Sequence, residues 1–275
     1  MKNIDIAMAT YNGELYLRDQ LNSILNQTYS NWVLYISDDC SSDDTLLIIN
    51  EFMKLDSRIK LVNKDRQGGV VKNFNLVLSS TTSDYIVLCD QDDVWPYNRL
   101  ELLLEVILKK ENGNSLMPIL IYSDMELVTS ELDIINESFF KENKLNPLDN
   151  ISKNNIIWFS TVYGCTTIMN RSLLKLSLPM PDYAQMHDHW LAINAYYNGL
   201  LYYYDYKSVK YRQHLNNVVG GYSSGFLSKI LNFKRKMKRI NEDSVNTITL
   251  IKKYDFENLS FNSNKKIIFF ALSNI

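Results

Sequence analysis

Apolar and polar positions along the first half of the chain switch repeatedly between two periods. Residues 3–9 carry a short apolar run broken by Asp5, which reads as a strand. Residues 14–27 place Leu15, Leu17, Leu21, Ile24 and Leu25 at helical spacing. A second strand is predicted at 32–37 and a helix over 45–54, with Ser41 and Ser42 as candidate caps. The same alternation continues with a strand at 59–63, a helix at 69–78, a short fully apolar strand at 85–89 and a helix at 100–109. Strand following helix in this way predicts βαβ units and an α/β fold. Its sheet is expected to be Rossmann-like, doubly wound and mainly parallel.

The second half is less regular. Strands are expected at 119–123, 162–170 and 200–206, a helix at 188–198, and a last strand at 207–214. Residues 130–155 are polar and are expected to form loops and short helices. From about residue 222 the pattern changes. Lys229, Lys234, Arg235, Lys236, Lys238 and Arg239 interleave with Phe226, Leu227, Ile230, Leu231, Phe233, Met237 and Ile240 at helical spacing. This predicts a main domain over 1–221 and a C-terminal basic amphipathic helical region over 222–275. That helical appendage is either a solvated face packed on the main domain or a surface for anionic lipid, and peripheral membrane contact through 226–240 is slightly favoured.

Composition narrows the class. With 275 residues, 46% apolar and 22% charged, the chain can bury a large core. A net charge of -2 exerts no general pull on nucleic acid, so no nucleic-acid partner is expected. Cys40, Cys89 and Cys165 are odd in number and widely spaced, which argues against a disulfide framework or a structural zinc site. No secretory leader or membrane-spanning run is seen, so a cytoplasmic protein is expected, possibly peripheral at the inner face of the membrane.

In an open parallel sheet, ligands bind beyond the carboxyl ends of the strands. Thr10-Tyr11-Asn12-Gly13 follows the first predicted strand, Asp38-Asp39 the second and Asp90-Gln91-Asp92-Asp93 the fourth. Three carboxylates within four residues repel one another, and a divalent cation relieves the repulsion. The alternative is a helix cap after Pro96, but a cap needs only one carboxylate. Asp38 and Asp39 read equally as a solvated turn or as acceptors for a nucleobase or ribose. Asp188, between His187 and His189, is either a general base or a helix cap with both histidines on the surface; spacing alone favours the cap. Arg212 is a candidate phosphate ligand or a counter-charge for the acidic edge, and His214 by itself reads as structural.

Taken in order, Ala9-Thr10-Tyr11-Asn12-Gly13, Ser37-Asp38-Asp39-Cys40-Ser41-Ser42-Asp43, Cys89-Asp90-Gln91-Asp92-Asp93-Val94-Trp95, His187-Asp188-His189-Trp190 and Tyr211-Arg212-Gln213-His214 resemble the family 2 glycosyltransferases, which have the GT-A fold. The match runs over about residues 4–221, and the forms of Asp90-Gln91-Asp92-Asp93-Val94-Trp95 and Tyr211-Arg212-Gln213-His214 look most like the bacterial rhamnosyltransferase-like branch. The resemblance implies that Thr10, Tyr11, Asn12, Asp38, Asp39, Asp90 and Arg212 serve the nucleotide-sugar donor. It implies Asp92 and His214 as ligands of Mn2+ or Mg2+, with Asp90 and Asp93 possible, and Asp188 as the base. The expected activity is inverting transfer of a sugar, from dTDP-rhamnose or a UDP-hexose, to a bacterial surface polysaccharide or lipid-linked glycan. His187 departs from the acidic pair of many relatives, Cys40 stands where glycine is common, and a processive QxxRW motif is missing. The rival reading is a haloacid-dehalogenase-type phosphatase using Asp90 and Asp92. A dinucleotide oxidoreductase is disfavoured because no GxGxxG follows the first strand. A non-catalytic carbohydrate-binding protein would bind ligand without depending on Asp188.

Overall fold

A computed structural model describes residues 2–152, 156–157 and 160–214. The expected C-terminal helical region, its boundary near 221 and the basic stretch 226–240 lie outside the described residues.

The first half alternates as its periodicity requires. The elements are β1 (Ile4–Thr10), α1 (Leu17–Leu25), β2 (Trp32–Asp38), α2 (Thr45–Leu55), β3 (Ile59–Asn63), α3 (Val70–Ser79), β4 (Tyr85–Cys89) and α4 (Arg99–Glu111). Each helix turns an apolar stripe inward: Leu17, Leu21 and Ile24 on α1, and Leu100, Leu103, Leu104 and Ile107 on α4. β1 and β4 are buried along almost their whole length, because helices cover both faces.

The second half contains β5 (Ile119–Val128), β6 (Ile134–Asn136), α5 (Phe139–Glu142), α6 (Asp149–Ser152), a 3-10 turn at Gly164–Thr166, β7 (Ile168–Asn170), α7 (Arg171–Ser177), α8 (His187–Asn198) and β8 (Leu200–Arg212). Three expectations are corrected here. The strand expected at 162–170 is only three residues long, with the 3-10 turn ahead of it. A seven-residue helix, α7, follows it where none was expected. The two strands expected at 200–206 and 207–214 are one continuous strand, which keeps pairing with β5 by absorbing irregularities near Asp124.

The sheet runs β3-β2-β1-β4-β7-β5-β6, with β8 paired to β5. β1 is parallel to both β2 and β4. The chain therefore winds outward through β2 and β3, then returns to the other side of β1. That reversal leaves a crevice at the carboxyl ends of β1 and β4, where open α/β sheets place their ligands. β7 is antiparallel to both neighbours and joins this parallel half to the β5–β8 pair. The architecture is GT-A-like: mixed α/β with a mainly parallel central sheet.

Candidate active site

A cavity of 540 Å³ opens at these carboxyl ends, within the range usual for small-molecule sites. Thr10, Tyr11, Asn12, Asp39, Asp90, Asp92, Asp188 and His214 all line it. Residues from five chain segments up to 204 positions apart thus meet in one place.

The loops after β1 and β2 are stitched together. Asn12 donates its backbone N–H to Ser41 Oγ (2.8 Å), and its Oδ1 accepts from Ser42 N (2.9 Å). Thr10 Oγ1 donates to Asp38 Oδ2 (2.8 Å), and Asp38 also accepts from Ser41 N and Oγ. Asp38 is fully buried and does not line the cavity. The expectation that Asp38 contacts the donor is corrected: its carboxylate shapes the turn. Asp39 faces the cavity, and its carboxylate accepts backbone amides from Gln67, Gly68 (3.0 Å) and Gly69 (2.9 Å). Burial acts to raise its pKa, but these amides outweigh it and hold the carboxyl below the usual range. Cys40 adopts a left-handed backbone (φ 64), a conformation that favours glycine.

The loop after β4 carries the acidic group. None of its carboxylates caps α4, whose N-cap is Asn98 without a side-chain hydrogen bond. Asp92 Oδ2 lies 2.8 Å from His214 Nε2, so the end of β8 delivers an imidazole to the β4 loop. The His214 ring rests on Tyr16, with centroids 4.8 Å apart. Burial, then Asp92 and Asp188, push the Asp90 pKa up to about 7. Asp93 is fully buried beneath the cavity, with Oδ2 unpaired, and burial raises its pKa strongly. Its ligand atoms cluster with those of Asp90 and Cys165 within 4.8 Å. This concentration of carboxylate oxygen beside one imidazole fits a hard divalent cation.

Arg212, read in the sequence as a phosphate ligand or a counter-charge for the acidic edge, is 2% exposed and does not line the cavity. Its guanidinium donates to Asp92 O (3.0 Å), Ser130 O and Asp19 Oδ2 (2.8 Å) and covers the Tyr16 ring at 4.6 Å. Its donors are occupied in holding the β4 loop and the end of β8 in position.

Asp188 enters at the second position of α8, with Met186 as the N-cap. The cap reading with surface histidines is therefore corrected: His187 and His189 are both buried. Asp188 Oδ2 accepts from Gly164 N (2.9 Å) and Oδ1 from His189 N (2.7 Å), which fixes the carboxylate at the cavity wall. His189 Nε2 pairs with Ile156 O (2.6 Å), whereas His187 stacks on Phe74, so the two rings diverge as expected and form no joint metal site.

Sequence reasoning assigned no role to Gln91, Asn73 or Gly164. Gln91 clamps the backbone of Tyr11 at both ends, Oε1 to N (2.9 Å) and Nε2 to O (3.0 Å). A Cβ at Gly13 would lie 2.4 Å from Gln91 Oε1, so this close approach requires glycine. Asn73 Nδ2 donates to Ser37 O (2.9 Å) and Thr10 O (3.3 Å), tying α3 to the ends of β1 and β2. The amide in the acidic motif was the one available signal for Gln91; Asn73 and Gly164 carry none, because their partners are remote in sequence.

The family described as Glycosyl transferase family 2 matches residues 5–176, more than half of the chain. The chain belongs to this family. Among its relatives is an Escherichia coli UDP-Glc:alpha-D-GlcNAc-diphosphoundecaprenol beta-1,3-glucosyltransferase, 32% identical over 69% of each chain. Another is the dTDP-rhamnosyl transferase RfbG of Shigella flexneri, 28% identical over 85% of this chain and 78% of the relative. S. aureus TarS in complex with UDP superposes with a TM-score of 0.59 at 20% identity, over 90% of this chain; this chain spans 65% of that structure. A Pyrobaculum calidifontis mannosyltransferase in complex with GDP-Man and Mn2+ also gives 0.59, at 15% identity over 99% of this chain and 69% of that one. These two likenesses concern the fold. As a family 2 glycosyltransferase, the chain gives no support to the phosphatase alternative, and Asp90 and Asp92 share their cavity with Asp188 rather than acting alone.

Proposed function

We propose that the chain moves a sugar from a nucleoside-diphosphate donor to a hydroxyl of a bacterial surface polysaccharide or lipid-linked oligosaccharide, with inversion at the anomeric carbon. The observation carrying this reading is one cavity in which Asp188, fixed by the Gly164 amide, faces the Asp90–Asp92–His214 group. Its support on the substrate side is a relative named for a diphosphoundecaprenol-linked acceptor and another named for dTDP-rhamnose. That pair supports a dTDP-rhamnose or UDP-hexose donor.

In this reading Tyr11, Asn12 and Thr10 border the nucleoside, and Asp39 orders the β3–α3 loop beside it. Asp92, His214 and Asp90 would hold Mn2+ or Mg2+, which when bound would neutralise charge on the departing diphosphate. Asp188 accepts the proton of the acceptor hydroxyl as its oxygen bonds to the anomeric carbon. The bond from that carbon to the diphosphate oxygen breaks, and its electron pair leaves with the nucleoside diphosphate. A single direct displacement inverts the centre and requires no sugar–enzyme bond.

The test is a donor screen. Purified protein is incubated with UDP-glucose, UDP-GlcNAc and dTDP-rhamnose, with Mn2+, Mg2+ or EDTA, and released nucleoside diphosphate is measured. Metal-dependent release from one donor, lost in Asp92→Ala, is expected. The absence of both nucleotide binding and nucleotide release with every donor would overturn the reading.

A further inference from the structure

Buried polar groups in native proteins are almost always hydrogen-bonded. His187 departs from that rule at the active site. The residue is 4% exposed, yet neither Nδ1 nor Nε2 has a partner among the described residues. The ring stacks on Phe74, with centroids 3.8 Å apart and planes 16° from parallel. A Cβ at Gly164 would stand 2.7 Å from Nε2, so glycine there is what admits the imidazole. His189, two residues on and also buried, does not line the cavity and is satisfied by Ile156 O. His187 does line it, together with Phe74, Asn73 and Asp188. One turn of helix thus holds a structural histidine and an unsatisfied one.

We propose that His187 is a specificity-determining residue that hydrogen-bonds a hydroxyl of the transferred sugar. This rests on the nucleotide-sugar reading of the cavity. Burial lowers the pKa of His187, so its ring is neutral and offers one donor and one acceptor. A sugar hydroxyl has the same dual character, whereas a phosphate oxygen could use only the ring's single N–H donor. The donor sugar is the partner in preference to the acceptor because of position. His187 directly precedes Asp188, stacks on Phe74 and has its Nε2 beside Gly164. A sugar ring whose anomeric carbon faces Asp188 and whose diphosphate faces Asp92 lies between these groups. His187, directly before Asp188, therefore supplies a neutral contact in this cavity.

The experiment is calorimetric titration of the full chain with Mn2+ and UDP, UDP-glucose, dTDP and dTDP-rhamnose. It is run on wild type, on His187→Phe, which keeps the stacked ring and loses both nitrogens, and on His187→Gln, which keeps a donor and an acceptor. The expected result is that one nucleotide sugar binds wild type more tightly than its parent diphosphate. His187→Phe should lose about tenfold of that difference, the equivalent of one hydrogen bond, with diphosphate affinity unchanged. His187→Gln should recover part of it. If His187→Phe does not melt cooperatively, His187→Leu is read in its place. Unchanged sugar discrimination in the ring variant, or no contribution from the sugar in wild type, would overturn this inference alone. Wild type that binds neither diphosphate would overturn the nucleotide-sugar reading and this inference with it.

Discussion

Replacing Asp90 with asparagine removes a carboxylate whose ionisation the metal-free fold opposes. Burial, then Asp92 and Asp188, raise its pKa from 3.8 to about 7. One pKa unit corresponds to about 1.4 kcal/mol, and partial contact with cavity water reduces the full shift, so the ionised group costs the metal-free fold about 2–4 kcal/mol. Between pH 4 and 7 the folded chain binds more protons at this site than the unfolded chain. Stability therefore falls as pH rises through that window, and the whole cost is present above it. In EDTA at pH 8, Asp90→Asn is expected to be more stable than wild type by about 2–4 kcal/mol, shrinking to less than half of that at pH 5. Urea unfolding at the two pH values measures both differences. Added Mn2+ should reverse the order at pH 8, because only wild type keeps the full ligand set and gains from binding. An asparagine variant no more stable than wild type at pH 8 in EDTA, or equally favoured at pH 5, would refute the reasoning.

Asp188→Asn removes the proton acceptor and leaves an acceptor oxygen for only one of the two backbone amides that Asp188 binds. Transfer should fall about 10²–10⁴-fold while nucleoside-diphosphate affinity holds, as steady-state kinetics and calorimetry would show. Gly13→Ala forces a Cβ against Gln91 Oε1 and breaks its clamp on Tyr11. A loss of about 1–3 kcal/mol in unfolding free energy and weaker nucleotide binding are expected; wild-type values for both would remove the clamp from the account. Asp39→Ala strands the amides of Gln67, Gly68 and Gly69, at about 1–3 kcal/mol near neutral pH. Because the folded pKa lies below 3.8, the wild-type carboxylate contributes fully above that value and loses its contribution as pH falls below it. Unfolding at pH 7 and pH 3.5 should show the difference narrowing in acid, and a constant difference would count against the amide contacts.

Much of the fold was legible because apolar periodicity survives wherever an element buries one consistent face. The first eight elements fall close to their expected positions, and the end of each parallel strand could be searched for polar residues. Legibility falls where pairing is irregular. β8 reads as two strands because its run of tyrosines is only half-buried and its register with β5 shifts near Asp124. α7 has only seven residues, too few to show a helical period.

The acidic motif and its position after β4, the Asp188 position and the family pattern were determined by the sequence by itself. They are local strings whose chemistry follows from composition and order. What only the tertiary structure decided is how each polar group is used. Asp38 and Arg212 have the right chemistry for a ligand but spend it on Ser41, Ser130 and Asp19. Asp92 and His214, 122 positions apart, become partners only because β8 delivers its end to the β4 loop. His187 and His189 look alike in the sequence, and only packing leaves one satisfied and the other without a partner among the described residues. Hydrogen-bond valence is consumed by whichever partner lies nearest in space, and sequence distance carries no information about that.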